Sequence, residues 1–298
     1  MKIPHFSDRD KLKKIIEETG IKRTVLAERL EVDYKTVWRW LDRGIKPQAR
    51  QSRDIDQLFK EYVDLREIVA GLKEKIKDPI EILKNDQRVR DEFILSVTYN
   101  SNAIEGSRMT EKETETAIEG HTVRGKELFE ILEAVNHKNA MAHMLKIIHP
   151  GYKIDEKYIL KLHEIVMYDF NNKLPGEYRT GYVNLTNTDT VLPSAQDVPL
   201  RMARLIKNIN TYGDDPLAKI ARDHHEFEII HPFFDGNGRV GRLVMITQLL
   251  SLAFPPVMIG VEDRYKYYMA LEKCGQGDFN NMVQMVCDGV LAGFNLFL

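Results

Sequence analysis

The stretch "IIHPFFDGNGRVGRL", residues 229–243, sets a histidine, an aspartate, an asparagine, three glycines and two arginines between apolar residues. A core helix disfavours so many glycines, and a plain turn has no need of arginines beside it. The helical pattern "PLAKIARDHHEFEII" precedes it and the helical "RLVMITQLLSL" follows. The stretch therefore reads as a glycine-rich turn that feeds a helix N-terminus. Free N–H groups and the positive end of the dipole favour an anion there.

Each residue type has a use at such a place. Gly236 and Gly238 remove the Cβ atoms that would keep a phosphate off the backbone. Asn237 suits a left-handed conformation and offers an amide donor. Arg239 and Arg242, three apart, share a helix face and can hold neighbouring phosphates. Asp235 is a hard oxygen ligand, suited to a Mg²⁺ ion that takes its other ligands from water and substrate. His231 can take a proton from an attacking hydroxyl. A phosphate cradle, a metal ligand and a base together point to nucleotidyl or phosphoryl transfer. The same residues leave two other readings open. His224, His225, His231 and Asp235 could form a hydrolytic metal cluster, although no HExxH spacing is present. The segment could also be a structural Gly-Asn-Gly turn with solvated arginines.

Outward from this stretch, helical periodicity dominates. It predicts helices near 197–211, 215–229, 239–253, 262–273 and 278–296, and a long one in "RGKELFEILEAVNHKNAMAHMLKIIHPG". Residues 87–105 form another helical pattern, with Gly106 as its stop. "PGEYRTGYVNLTNTDTVLPSAQDVP" changes character: β-formers between prolines predict a β-hairpin flap at about 184–193. The fold class expected is all-α with this one small β excursion. Three segments are expected: a helix-turn-helix domain over 1–50, a helical linker over 51–79, and the main domain over 80–298.

The chain has 298 residues, 43% hydrophobic and 30% charged, with a net charge of −2. That composition argues against wholesale disorder and gives the whole chain no basic signature for nucleic acid. The first fifty residues carry thirteen Lys or Arg against eight Asp or Glu, a net +5, which leaves −7 for the rest. Cys274 and Cys287 make no framework of disulfides, and no signal-like apolar segment opens the chain, so a cytoplasmic location is expected. The longest uncharged run, 243–260, is broken by Pro255-Pro256 and reads as a buried helix, with no membrane partner expected.

"HPFFDGNGRVGR" resembles the Fic (filamentation induced by cAMP) family, whose motif HxFx(D/E)GNGRxxR it fits at every defined position. The spacing of His224 to Phe227, "PGEYRT" and the flap ending in "DVP" are similar to that family as well, over roughly residues 80–298. The resemblance implies a protein adenylyltransferase that moves AMP from ATP to a Ser, Thr or Tyr hydroxyl of a target protein, possibly itself, with Mg²⁺. It implies His231 as general base, Asp235 on the metal, and Gly236, Asn237 and Gly238 around the phosphates. Arg239 would assist there and Arg242 would hold the γ-phosphate. Tyr265 and Tyr268 would be adenine-side contacts, with core packing as the alternative for at least one of them. "SNAIEG", residues 101–106, resembles the family's inhibitory motif (S/T)xxxE(G/N). Ser101 and Glu105 lie one turn apart on a helix around 90–106, and by resemblance Glu105 would pair with Arg242 and displace the γ-phosphate. Glu105 could alternatively orient a water that removes AMP from a modified target.

"TVLAERLEVDYKTVWRW" resembles a helix-turn-helix, with Ala27 at the small-residue position and Val32 in the turn. It departs at Glu31, where glycine is usual. Asp33 is placed to cap its second helix and Gly44 to end it. Tyr34, Lys35, Thr36 and Arg39 would face outward and could reach DNA. A protein-docking or homodimer-forming module is the alternative, and a DNA-binding regulator whose core merely senses nucleotide is a second overall function.

Overall fold

The computed structural model describes residues 6–183 and 191–298. Contacts divide the chain into two compact units, residues 1–71 and 72–298. The segment 51–79, which the sequence suggested as a linker, is helical but shared between the units. Among the described residues there is no strand. The expected hairpin falls largely on residues 184–190, outside the described residues, and the flanking 181–183 and 191–193 are irregular.

The first unit holds α1 (Asp8–Thr19), α2 (Arg23–Arg29), α3 (Tyr34–Arg43), α4 (Ala49–Tyr62) and the start of α5 (Leu65–Lys73). α1 packs against both α3 and α4. Leu12, Ile15, Leu26, Val37, Leu41, Ile55 and Phe59 form the core of this unit. Lys11 is buried with its ammonium on Asp56 of α4, which explains why α4 belongs to this unit and not to a linker. Gly20 and Gly44 end α1 and α3 in the left-handed conformation, as their positions suggested. Asp33 stands at the N-cap of α3 but its side chain accepts no capping bond. Glu31 adopts φ 52°, so the turn keeps the left-handed geometry without a glycine.

The second unit runs α6 (Pro79–Asn85), α7 (Gln87–Ile104), α8 (Glu111–Ile118), α9 (Leu128–Ile147), α10 (Glu156–Val166), α11 (Val198–Ile209), α12 (Pro216–Ile230), α13 (Asn237–Ser251), α14 (Arg264–Gly275) and α15 (Asn280–Phe294). α13 is the central helix. Every residue from Arg239 to Ser251 is buried, and α12, α10, α7 and α9 pack around it. A helix apolar on all sides must be enclosed by others, which accounts for the uncharged run better than a membrane span. No helix among the described residues is long and apolar enough to cross a membrane.

α8 has no counterpart in the periodicity reading, because eight residues give too short a pattern. Its signal was local: Thr110 and Glu113 form a reciprocal capping box. Met109, Ala117, Val123 and Ala134 form a small separate core that seats the segment after α7 against α9. α8 in turn packs against both α7 and α9, next to the end of α7 that carries Glu105.

Candidate active site

The site is the loop 231–236 between α12 and α13, together with the first turns of α13. His231 ends α12 in a left-handed conformation, φ 47° and ψ 62°, and its N–H donates to the Phe227 carbonyl at 3.0 Å. A non-glycine residue there costs about 1–2 kcal/mol, so something must hold it. Arg179 does. It is 2% exposed and donates from Nε to the His231 carbonyl at 2.8 Å. The same guanidinium reaches the carbonyls of Gly181 at 3.0 Å and Pro193 at 2.6 Å. One buried cation therefore ties the His231 backbone to both flanks of the segment expected as a flap. Burial lowers the pKa of Arg179, while carbonyls on several sides satisfy its donors. Arg179 lies within "PGEYRT", where sequence alone gives a lone arginine no role.

His163 is a second residue that went unnoticed. Its ring stacks on Phe233 at 3.7 Å between centroids. Its Nδ1 accepts from the Gly176 N–H at 3.0 Å, which leaves the proton on Nε2, 3.2 Å from the Asp235 carbonyl. Burial pushes its pKa down to about 4, so it stays neutral and braces the loop. No chemical motif marked it; its signal was only a buried position in α10.

Asp235 presents a half-exposed carboxylate. Oδ1 accepts from the Gly236 N–H at 2.6 Å and from Arg239 Nη2 at 3.1 Å. Oδ2 faces Lys173 Nζ at 3.8 Å. A carboxylate with one oxygen this open suits a hydrated Mg²⁺, which takes one or two carboxylates and completes its shell elsewhere. The alternative of a multi-residue metal cluster finds no support, since no group of three or more His, Cys, Asp or Glu among the described residues could hold an ion.

The left-handed conformation expected of Asn237 falls on Gly236, φ 74°, which is the N-cap of α13; Asn237 is already helical. The Asn237 amide closes the loop on itself. It accepts from the Phe233 N–H at 2.9 Å and donates to the Phe233 carbonyl at 2.9 Å. Its side chain is thus committed to the shape of the cradle, because the loop has no other group to satisfy those two backbone atoms.

Arg239 and Arg242 do share a face, and both are buried. Arg239 donates to Glu133 of α9 at 2.9 Å and to Asp235 at 3.1 Å. Burial raises the pKa of Glu133, against the pull of Arg239. Arg242 donates from Nε to Ser101 Oγ at 3.0 Å, and from Nη2 to the Ser101 carbonyl at 2.9 Å and to Glu105 Oε1 at 2.8 Å. Its Nη1 has no partner. Burial works against the charge of Arg242, but Glu105 and its neighbours outweigh it and raise the pKa. Gly238 makes this contact possible: a Cβ there would lie 2.2 Å from Glu105 Oε1.

His231 is largely enclosed, and burial lowers its pKa, which leaves a neutral imidazole at pH 7. His224 is a buried core histidine, bonded through Nε2 to the Tyr267 hydroxyl at 2.7 Å. The core-packing role expected of Tyr265 or Tyr268 belongs instead to Tyr267, which is 1% exposed, while Tyr265 is 75% and Tyr268 38% exposed. The Tyr268 hydroxyl donates to the Ile104 carbonyl at 3.3 Å. Tyr268 thus borders the end of α7, and Tyr265 stands clear of it.

In the N-terminal unit, Tyr34, Lys35 and Arg39 are exposed and Thr36 is partly so. Trp38 is exposed as well, with the Arg43 guanidinium 5.1 Å from its ring.

Residues 153–249 match the Fic/DOC family model. The chain is 32% identical over 216 residues to a "Protein adenylyltransferase Fic" from Drosophila persimilis, covering 71% of this chain and 42% of that protein. The corresponding protein from Drosophila melanogaster is 31% identical, with 71% and 44% covered. The chain thus spans less than half the length of these curated relatives. A Fic family protein from Desulfovibrio desulfuricans has a similar structure, with a TM-score of 0.64 and 26% identity over 78% of this chain and 74% of that one. Fic-1 from Caenorhabditis elegans shares the fold, with a TM-score of 0.64 over 94% of this chain and 85% of that one, at 22% identity.

Proposed function

The domain that carries this site belongs to the Fic/DOC family, and on that premise we propose that the protein is an autoinhibited protein adenylyltransferase. It would transfer AMP from ATP to a Ser, Thr or Tyr hydroxyl of a target protein and release pyrophosphate. One observation carries the reading: Glu105, at the end of α7, occupies Arg242 at 2.8 Å beside the first turn of α13. That is where the unpaired N–H groups of a helix start and a buried guanidinium favour an anion. A carboxylate from the chain itself fills the place of a phosphate.

In the reaction, His231 takes the proton of the target hydroxyl as its oxygen attacks the α-phosphorus of ATP. The bond to the bridging oxygen breaks and pyrophosphate leaves. The lowered pKa keeps His231 unprotonated for this role. The first N–H groups of α13, with Arg239 and Arg242, hold the phosphates in line. Asp235 would hold Mg²⁺, which supplies charge neutralisation on the leaving pyrophosphate when bound. Arg179 and Asn237 keep the loop in the shape that sets these groups together. With Glu105 on Arg242, ATP lacks its γ-phosphate ligand and reaches no productive pose. The flap expected at about 184–193, largely outside the described residues, would align a segment of the target protein by main-chain contacts.

Incubation with α-labelled or γ-labelled ATP, in the Glu105→Gly variant, tests the reaction. Protein label from the α position alone is the expected result. Label from the γ position would indicate phosphate transfer and overturn the reading. Removal of AMP from a modified target by wild type, but not by Glu105→Gly, would assign Glu105 to the reverse direction.

A second function rests on the exposed Tyr34, Lys35, Thr36 and Arg39 of α3, in a unit whose first fifty residues are basic. Such a helix suits a DNA major groove, with Glu31 supplying the left-handed turn residue before it. A mobility shift that survives in the full chain and is lost in Arg39→Ala would support DNA binding; no shift at low salt would leave protein docking as the role of this unit.

A further inference from the structure

Among the described residues of the site, Glu228 carries a carboxyl group that neither the loop nor the Glu105–Arg242 contact employs. It lies on α12, three residues before His231. Its Oε1 is covered and has no hydrogen-bond partner, whereas the residue as a whole is partly exposed. An unpaired carboxyl oxygen at such depth costs about 1–3 kcal/mol, so its retention calls for a reason.

Its position supplies one. A Cβ at Gly241 would lie 2.6 Å from Glu228 Oε1, and a Cβ at Gly238 would lie 2.2 Å from Glu105 Oε1. Gly238 and Gly241 are three apart on α13, and so are neighbours on one face. Two carboxyls, one from α7 and one from α12, therefore rest side by side on the bare backbone of the helix start. The Arg242 Nη1 atom, itself unpaired, lies 3.0 Å from the Gly238 Cβ position. The group that replaces Glu105 meets an orphan donor on Arg242 and an orphan carboxyl on Glu228.

We propose that Glu228 acts as a neutral carboxylic acid that donates a hydrogen bond to the terminal phosphate of ATP once Glu105 has withdrawn, making it a specificity residue for the triphosphate. The inference rests on the adenylyltransferase reading above. With Glu105 in place, burial first and the Glu105 charge second push the Glu228 pKa up to about 8 despite Arg242; once Glu105 has withdrawn, burial still favours the protonated carboxyl, and the phosphate that takes its place brings negative charge to the same spot. The titratable groups that interact with it are Glu105 of α7, Arg242 of α13, and Tyr267 and Tyr268 of α14. His224 of its own helix packs on the same spot of Gly241. An ionised Glu228 would repel the phosphate, whereas a protonated one completes the ligand set that Arg242 and the helix N-terminus begin.

The test measures ATP and ADP affinity by calorimetry on the full chain in the Glu105→Gly background. Adding Glu228→Leu should weaken ATP about ten- to hundredfold, the worth of a hydrogen bond to a charged group, and change ADP by less than about twofold. An equal loss for both nucleotides, or none, overturns the inference, because a structural role would not alter their ratio. Glu228→Gln supplies the second reading should the leucine variant fail to fold. Between pH 7.5 and 9 the terminal phosphate is already ionised. The Glu105→Gly protein should lose ATP affinity over that range while Glu105→Gly with Glu228→Gln should not. Parallel pH profiles would sink the proposal. If Glu105→Gly binds neither nucleotide, the nucleotide site itself is misassigned and both readings fall together.

Discussion

Arg239 and Arg242 stand three residues apart on one buried face of α13, and they are held in opposite ways. The partners of Arg239 lie in fixed parts of the site: Asp235 in its own loop, and Glu133 in the interior of α9. Arg242 donates its hydrogen bonds to one turn of α7, at Ser101 and Glu105, with its guanidinium 5.7 Å from the Tyr267 ring of α14. Glu105 sits at the C-cap, with Gly106 at φ 106° directly behind it. A carboxylate there faces the negative end of the α7 dipole, which disfavours it by about 0.3–1 kcal/mol. Its side chain is 32% exposed, against 5% for Arg242. The first arginine belongs to the scaffold. The second is held by one turn at a helix end, so on the proposed function the same residue type at the same depth serves once as architecture and once as a switch.

The largest effect that would break this comparison concerns the base the two arginines serve. In the Glu105→Gly background, His231→Ala should reduce AMP incorporation from α-labelled ATP by about 10²- to 10⁴-fold. Residual activity near the parent level would mean that neither arginine flanks a catalytic site. Next in size, Glu105→Gly alone should raise incorporation roughly ten- to hundredfold, since it frees a guanidinium from a charge-assisted bond. Glu133→Gln sharpens the contrast. It should lower the activity of the released enzyme about fivefold, by loosening Arg239, and should not relieve inhibition in the otherwise wild-type chain. Relief by Glu133→Gln equal to that of Glu105→Gly would show that the two arginines do not differ. The smallest effect is in the pH profile. Burial lowers the His231 pKa, so the base loses activity only when protonated below its ordinary value. The acid limb of kcat/KM for the released enzyme should fall at a pH under about 6.5; a limb above that value would contradict the burial.

Much of this was legible in the chain. The all-α class followed from periodicity, and the helices on either side of 231–236 lie within a few residues of where apolar spacing placed them. His231, Asp235, Arg239 and Arg242 could be named because one short segment holds all four. Ser101 and Glu105 were legible as a pair one turn apart, and the structure brings both to Arg242. Arg179, His163 and Glu228 were not legible, since each is a lone polar residue in an ordinary stretch whose partners lie far away in sequence. The same holds for Tyr265, Tyr267 and Tyr268. Helical spacing put all three near one another, and only packing decided that Tyr267 is the one enclosed.

The sequence by itself determined the local composition of the site: a histidine, an aspartate, a glycine-lined helix start and two arginines, all within twelve residues. Covalent proximity makes such a site readable, because backbone geometry fixes where neighbours point. Tertiary structure alone decided the state of the site. The distance of 2.8 Å between Arg242 and Glu105 joins residues 137 apart in the chain. It depends on α7 meeting α13. Burial then sets which carboxyl is charged, which imidazole is neutral and which arginine is free to bind phosphate. Those are properties of the packed interior, and no spacing rule carries them.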